Sequence, residues 1–266
     1  LVINTNTNNS PGTGYLSNIV GGTASGLNVS LNVKGNVRVN NPNTLTLSNS
    51  TTSWTVNLNV DKDVILTNGA ILNVRGNTGT NTLNIKGNLT VDENSMIRSQ
   101  SQGFLVFNGT GNGSSDTQTQ YIDVLSNGAT RTQSLTMTVN SGAYAKLKNN
   151  FALGSNSTLT VNGTFEADNK TISGTSGNKV TVENGGLFRT ANDYGFSNDD
   201  DASIATTVAN IDLKNGSTVE YNASGDQLIS AQTNVGQGSA NYANLNISGS
   251  GIKAPADNLE VNDKIT

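Results

Sequence analysis

A short phrase of alternating aliphatic and polar residues, which runs into a Gly/Asn turn, recurs along this chain. It reads LNVKGNVRV from Leu31, LNIKGNLTV from Leu83, LTVNGTFEA from Leu159 and IDLKNGSTVEY from Ile211. Such alternation places successive side chains on opposite faces of an extended strand. The phrase therefore predicts strands that bury a narrow aliphatic core on one side and present polar side chains on the other.

The phrase at Leu83 makes the prediction specific at single residues. Gly87 and Asn88 are predicted to form its bend, because both residue types tolerate positive φ. The strand positions fall into two sets. Those predicted to point inward are Leu83, Ile85, Leu89 and Val91, and those predicted to point outward are Asn84, Lys86, Thr90 and Asp92.

Two all-β folds accommodate this pattern. The first is a right-handed parallel β-helix, a solenoid with projecting loops, in which near copies of the phrase stack and outward Asn and Thr residues form ladders. The second is an antiparallel β-sandwich or barrel, in which TLTV-NG-TFEA, from Thr158, would be a type I′ hairpin. We favour the β-helix, because stacked turns require near copies of one phrase and inward positions rich in Val, Leu and Ile.

Composition excludes several classes of function. The net charge is −4 and Lys and Arg are scattered singly, which argues against a nucleic-acid partner. Cys and His are both absent, so a disulfide framework, a thiolate metal site and a Ser-His-Asp arrangement are excluded. No apolar run is long enough to predict a membrane span.

We expect residues 1–26 to form an N-terminal arm or cap and residues 27–266 to form a single β-helix repeat domain. Two insertions, Gly109–Gln120 and Asn192–Ser203, are the predicted loops, where binding residues usually concentrate. The final residues, LEVNDKIT, look like the start of another phrase. We therefore expect the stack to continue, through flanking repeats of the same chain or a second copy docked head to tail.

The section from Ile211 to Thr266 carries a resemblance. It contains NGSTVEYNASGDQLIS followed by NYANLNISGSGIKAPADNLEVND. It resembles a repeat of secreted, adhesin-like surface proteins of Bacteroidetes-type bacteria, and departs from that pattern at Ala223 and Ala254–Asp257. The rest of the chain is similar only generically to filamentous-haemagglutinin-like β-helices. The matching positions are Val219, Tyr221, Gln227, Ile229, Tyr242, Asn244, Leu245, Ser248, Gly249, Gly251, Lys253, Leu259 and Val261.

The resemblance implies export to the bacterial cell surface and a structural or adhesive role, and it carries over no catalytic residue. We expect a non-catalytic extracellular protein, either a fibre-forming subunit or one segment of a long stalk. Its expected partners are further copies or repeats of itself and a surface polysaccharide. No cofactor is expected, except that calcium has one candidate site.

That candidate is the acidic cluster Asp199, Asp200 and Asp201. Calcium prefers several oxygen ligands, but the spacing of known calcium loops is missing. A solvated loop is the alternative interpretation.

The competing function is a polysaccharide-binding or polysaccharide-degrading β-helix enzyme. Arg189, Asp193, Tyr194 and Asp199 lie close together in sequence and are the residues that could line its groove. Hydrolysis would require two carboxyl groups at a set separation, which a sequence does not specify.

Thr-x-Thr triplets suggest ice binding as a further function. Ice binding would require the triplet on every turn of the same face.

Overall fold

The structure is a computed structural model. It describes the backbone at residues 2–3 and 13–15. It describes the chain at residues 28–40, 44–47, 55–74, 80–109, 119–125, 132–231 and 241–266, without the side chains of residues 100–102 and 132–133.

Within those residues the secondary structure consists of short strands and turns, with no helix. The first half of the chain contains β1 (Val2–Ile3), β2 (Thr13–Tyr15), β3 (Asn28–Val33), β4 (Val37–Asn40), β5 (Thr44–Thr46), β6 (Thr55–Val60), β7 (Val64–Thr67), β8 (Ile71–Asn73), β9 (Thr82–Ile85), β10 (Leu89–Val91), β11 (Met96–Phe107), β12 (Gln120–Val124) and β13 (Thr132–Val139). The second half contains β14 (Tyr144–Leu147), β15 (Phe151–Ala152), β16 (Thr158–Val161), β17 (Thr164–Asp168), β18 (Ile172–Ser173), β19 (Lys179–Val182), β20 (Leu187–Thr190), β21 (Asn210–Leu213), β22 (Thr218–Tyr221), β23 (Gln227–Ile229), β24 (Tyr242–Ile247), β25 (Lys253–Pro255) and β26 (Val261–Ile265).

All strand pairs in the described residues are parallel, and no strand pairs with the next strand along the chain. One sheet has eleven strands in the order β1-β4-β7-β10-β12-β14-β17-β20-β22-β24-β26. A second sheet runs β2-β5-β8-β11-β13-β16-β19-β21, with β3, β6 and β9 joining it at β11. Two small sheets pair β15 with β18 and β23 with β25. The prediction of an all-β chain with parallel strands is confirmed, and the antiparallel alternative is wrong for these residues.

The segment TLTVNGTFEA makes the difference between the two folds concrete. Its strands β16 and β17 lie in different sheets, where β16 pairs with β13 and β19, and β17 pairs with β14 and β20. Asn162 and Gly163 therefore turn a corner from one sheet to the next instead of closing a hairpin.

The core is a set of aliphatic columns along the stack of strands. Leu83 pairs in register with Leu58 on one side and Leu105 on the other, and all three are fully buried. The four residues predicted to point inward in this phrase, Leu83, Ile85, Leu89 and Val91, are all buried, with exposures of 0 or 1%. The period-two prediction of the core is confirmed here.

The bend after β9 has a different physical reason from the one predicted. Neither Gly87 nor Asn88 has positive φ. Instead, a Cβ at Gly87 would lie 2.5 Å from the carbonyl carbon of Lys62 and 2.6 Å from Asp63 Oδ1. Glycine is needed here because the turn of the neighbouring strand layer approaches closely.

Among the residues described, buried aromatic side chains are concentrated in the C-terminal half of the core, although Phe107 of β11 is also fully buried. The rings of Phe165 and Phe188 lie 5.3 Å apart, and Phe188 meets Phe196 edge to face at 4.9 Å. Beyond them, the hydroxyls of Tyr221 and Tyr242 are 2.6 Å apart in the buried interior. Edge-to-face and tilted rings are favourable arrangements.

An asparagine ladder runs along the outer face of the second sheet. Asn59 Nδ2 donates to Asn32 Oδ1 at 2.9 Å, and Asn84 Nδ2 donates to Asn59 Oδ1 at 2.8 Å. The ladder continues through Asn108, which donates to Asn84 at 3.2 Å, and Asn140, which donates to Asn108. Each interior amide thus serves as both donor and acceptor, as the sequence predicted for stacked Asn residues.

Candidate functional site: a surface groove beside Tyr194

The segment after β20, residues 192–203, shapes a groove at the surface. It corresponds to the predicted loop Asn192–Ser203, but part of it belongs to the interior. Phe196 is fully buried, whereas Tyr194 is 49% exposed. Gly195 between them has φ of +87°, a conformation that glycine adopts without a Cβ penalty. The chain therefore directs one aromatic ring into the core and the other to the surface.

The next layer of strands supports the segment through backbone contacts. Leu228 N–H of β23 donates to Asp193 O at 2.9 Å, and Ser197 N–H donates to Ser230 Oγ at 2.9 Å. A Cβ at Gly195 would collide with the Leu228 carbonyl oxygen and lie 2.7 Å from Ser230 Oγ. The segment is packed against β23 at its positive-φ glycine and at its buried Ser197.

The groove has a volume of about 250 Å³ and mixes apolar and acidic side chains. Its apolar wall includes Tyr194 and Leu228, both of which belong to the few large hydrophobic side chains exposed in the described residues. Its polar wall includes Asn198, Asp199 and Asp257, and no Lys or Arg of the described chain lines it. Ser197 also lines it and is 3% exposed. The groove can therefore offer an apolar platform and a rim of hydrogen-bond acceptors.

The predicted calcium residues are not brought together. Asp201 N–H donates to Asp199 Oδ1 at 2.9 Å, and Thr206 donates to Asp200 Oδ1. Asp199 lines the groove, while Asp200 and Asp201 do not. Among the residues that the structure describes, no group of three or more Asp, Glu, His or Cys residues could hold a metal ion.

Only some of the residues predicted to line an enzyme groove lie together in the structure. Tyr194 and Asp199 line the observed groove, but Asp193 is not among its lining residues. Arg189 lies on the first sheet, where Nη1 is 3.1 Å from Glu166 and Nε is 3.1 Å from Glu220. Burial alone would lower the pKa of Arg189, but the two carboxylates raise it above its ordinary value. Arg189 is therefore part of a structural charge ladder and not of the groove.

The other predicted loop, Gly109–Gln120, lies mostly outside the described residues. Its last residue is buried and structural. Gln120 Nε2 donates to the carbonyl oxygens of Ile85 at 2.9 Å and Gly87 at 2.7 Å, and its Oε1 accepts from Gly109 N–H at 2.5 Å. The described end of this loop thus satisfies buried backbone groups.

Sequence reasoning missed Leu228 and Asp257 as groove residues. Both lie in the section that carries the resemblance, but they are far from Tyr194 in sequence and reach it only through stacking of the strand layers. The pairing of β23 with β25, which sets Leu228 opposite Ala254, is visible only in the structure.

Of the predicted arm at residues 1–26, only two short strands are described. They extend the two large sheets, because β1 pairs with β4 and β2 pairs with β5.

The fold and groove define an all-β protein of stacked parallel strands with an acidic, partly apolar surface groove.

Comparison with protein-family models, curated proteins and solved structures found no significant match to this chain. In the described part of the chain, no helix has the length and apolar character required to cross a membrane.

Proposed function

We propose that this protein is a right-handed parallel β-helix that acts as a non-catalytic structural or adhesive protein on the bacterial cell surface. The observation that carries the proposal is the eleven-stranded sheet in which every described pair is parallel. At the usual strand spacing, that sheet spans roughly 50 Å. Such a stack is suited to extending away from a cell surface and to displaying its polar faces. The extracellular location is supported by the resemblance of residues 211–266.

The mechanism we propose is mechanical. Inward columns such as Leu58, Leu83 and Leu105 exclude water from a continuous core. Outside, the asparagine ladder and the ion pairs join one layer to the next through side chains. Unfolding one layer would break backbone, amide and apolar contacts with both neighbours, so the layers resist separation together.

We further propose association through the exposed edge of β26, with a second copy or with flanking repeats. In the described residues β26 pairs only with β24, and its Ile265 is 59% exposed. A strand with one free edge presents unpaired backbone groups that can accept another strand.

The test is negative-stain electron microscopy together with small-angle X-ray scattering over a range of protein concentrations. We expect elongated particles that join end to end as concentration rises. Ile265→Lys should abolish the joining and leave the single particle elongated. Leu125→Lys is the matched control, because Leu125 is also exposed, at 42%, but follows β12 in the middle of the first sheet. Compact single particles would refute the rod, and joining that survives Ile265→Lys would refute the role of this edge.

A further inference from the structure

We propose that the groove beside Tyr194 binds a sugar residue of a neutral polysaccharide. A pyranose ring presents a face of C–H groups surrounded by hydroxyls. It therefore requires an apolar platform with hydrogen-bonding groups at the rim. The exposed ring of Tyr194 and the exposed side chain of Leu228 supply the platform. Tyrosine suits this task because it offers a large rigid apolar surface with a polar tip.

The rim supplies acceptors of the right kind. The carboxylates of Asp199 and Asp257 line the groove, and an ionised carboxylate accepts hydrogen bonds from hydroxyl groups. The Asn198 side chain donates to the Ala231 carbonyl oxygen, which leaves its own amide oxygen as a further acceptor. Since no Lys or Arg among the residues that the structure describes lines the groove, uronic acids and sulfated sugars would meet like charge. The lining therefore selects neutral sugars over acidic ones.

An unpartnered buried hydroxyl lies in the wall of the groove. Ser197 lines the groove at 3% exposure, and in the described structure its Oγ has no hydrogen-bond partner. A buried polar group without a partner carries a free-energy cost of about 1–3 kcal/mol. The Oγ has less than 1 Å² of accessible surface, so a ligand hydroxyl would pair with it only after a local shift of the groove wall.

This inference rests on the proposed adhesive role in one respect: the groove would be the part of the surface that binds a glycan. The two ideas fail separately. Loss of the rod would appear in scattering from the unliganded protein, whereas loss of the sugar site would appear only in binding measurements.

The experiment is affinity gel electrophoresis and isothermal titration calorimetry of the whole chain. The probes are soluble laminarin, dextran, mannan, xyloglucan and galactomannan, with alginate as the acidic probe. We expect binding to at least one neutral polysaccharide and none to alginate. Tyr194→Ala should weaken that binding about tenfold through loss of the ring surface, and Tyr194→Phe should retain it. Asp199→Asn should weaken binding, because one carboxylate acceptor is lost.

Two control variants separate the groove from general effects. Ile252→Ala removes an apolar side chain that is 69% exposed but does not line the groove. Asp200→Asn removes a neighbouring charge outside the groove. Both should bind like the unmodified chain, and circular dichroism should be unchanged in all variants. Absence of binding to every neutral probe, equal binding to alginate, or full binding by a folded Tyr194→Ala variant would each overturn the proposal.

Discussion

Glu166 on β17 and Arg189 on β20 are register partners, and Arg189 Nη1 lies 3.1 Å from Glu166 Oε2. Glu166 is only 6% exposed, yet it also receives hydrogen bonds from Tyr144 and from Lys146, the latter at 2.7 Å. Arg189 in turn donates to Glu220 on β22. Opposite charges thus alternate up four stacked strands, and the nearly buried carboxylate is compensated on both sides.

We predict that Glu166→Gln lowers the free energy of unfolding by about 2–3 kcal/mol, because a buried charge-assisted network loses its central negative charge and one acceptor oxygen. The measurement is urea unfolding followed by circular dichroism. Asp61→Asn is the matched control. Asp61 also sits between two cations, with Lys34 and Lys86 each at 2.9 Å, but that cluster is solvated. The control should cost clearly less, and its effect should fade in high salt. Equal losses in the two variants would contradict the central role of Glu166.

Stability should fall at acid pH. Hydrogen bonds from Lys86 and then Lys34 lower the pKa of Asp61 from 3.8 to about 2. Burial opposes a lower pKa at Asp212, but its flanking lysines outweigh burial and lower that pKa too. A depressed folded-state pKa means that the unfolded chain takes up the proton first. The stabilisation from Asp61 is therefore present above pH 4 and is lost as the pH falls through about 2, and the stabilisation from Asp212 is lost in the same direction.

Urea midpoints between pH 7 and pH 2 measure this acid dependence. The double variant Asp61→Asn with Asp212→Asn should show a shallower decline than the unmodified chain. An identical pH profile in the two proteins would show that these carboxylates do not contribute to it.

Gly163→Ala should destabilise the fold by about 1–3 kcal/mol through overpacking. A Cβ at this corner would collide with the carbonyl oxygens of Asn140 and Ala143, which belong to the neighbouring layer and are not free to move away. Gly35→Ala is the matched control, since it lies at an equivalent corner and its Cβ would meet no described atom within 4 Å. Thermal unfolding of the two variants gives the comparison. A tolerated Gly163→Ala would mean that the layers stack less closely at this corner than described.

Asn84→Ala should cost about 1 kcal/mol, because it removes one donor and one acceptor from the middle of the asparagine ladder. Asn84 donates to Asn59 at 2.8 Å and accepts from Asn108 at 3.2 Å. Asn28→Ala, at an exposed position on the same sheet, is the comparison. Urea midpoints of both variants would test the prediction, and an unchanged midpoint for Asn84→Ala would show that the ladder does not contribute to stability.

The period-two pattern predicted the core well. Leu83, Ile85 and Leu89 are buried as expected, because alternation along an extended strand decides which side chains share a face whatever the strand pairs with. The same pattern does not specify whether the partner strand runs parallel or antiparallel. The segment from Thr158 to Ala167 satisfies the sequence rules for a hairpin equally well, and only its position between neighbouring layers makes it a corner.

The residues of the candidate site were likewise predictable from the sequence only in part. The sequence by itself suggested Arg189, Asp193, Tyr194 and Asp199 as residues of an enzyme groove, and of these four only Tyr194 and Asp199 line the groove described here. It could not supply Leu228 and Asp257, which reach the groove from later layers, nor place Arg189 in a ladder on another sheet. Local alternation determines what a strand buries, whereas stacking brings together residues separated by a whole turn of chain. The lengths of the intervening turns decide which residues meet, and those lengths vary from one layer to the next.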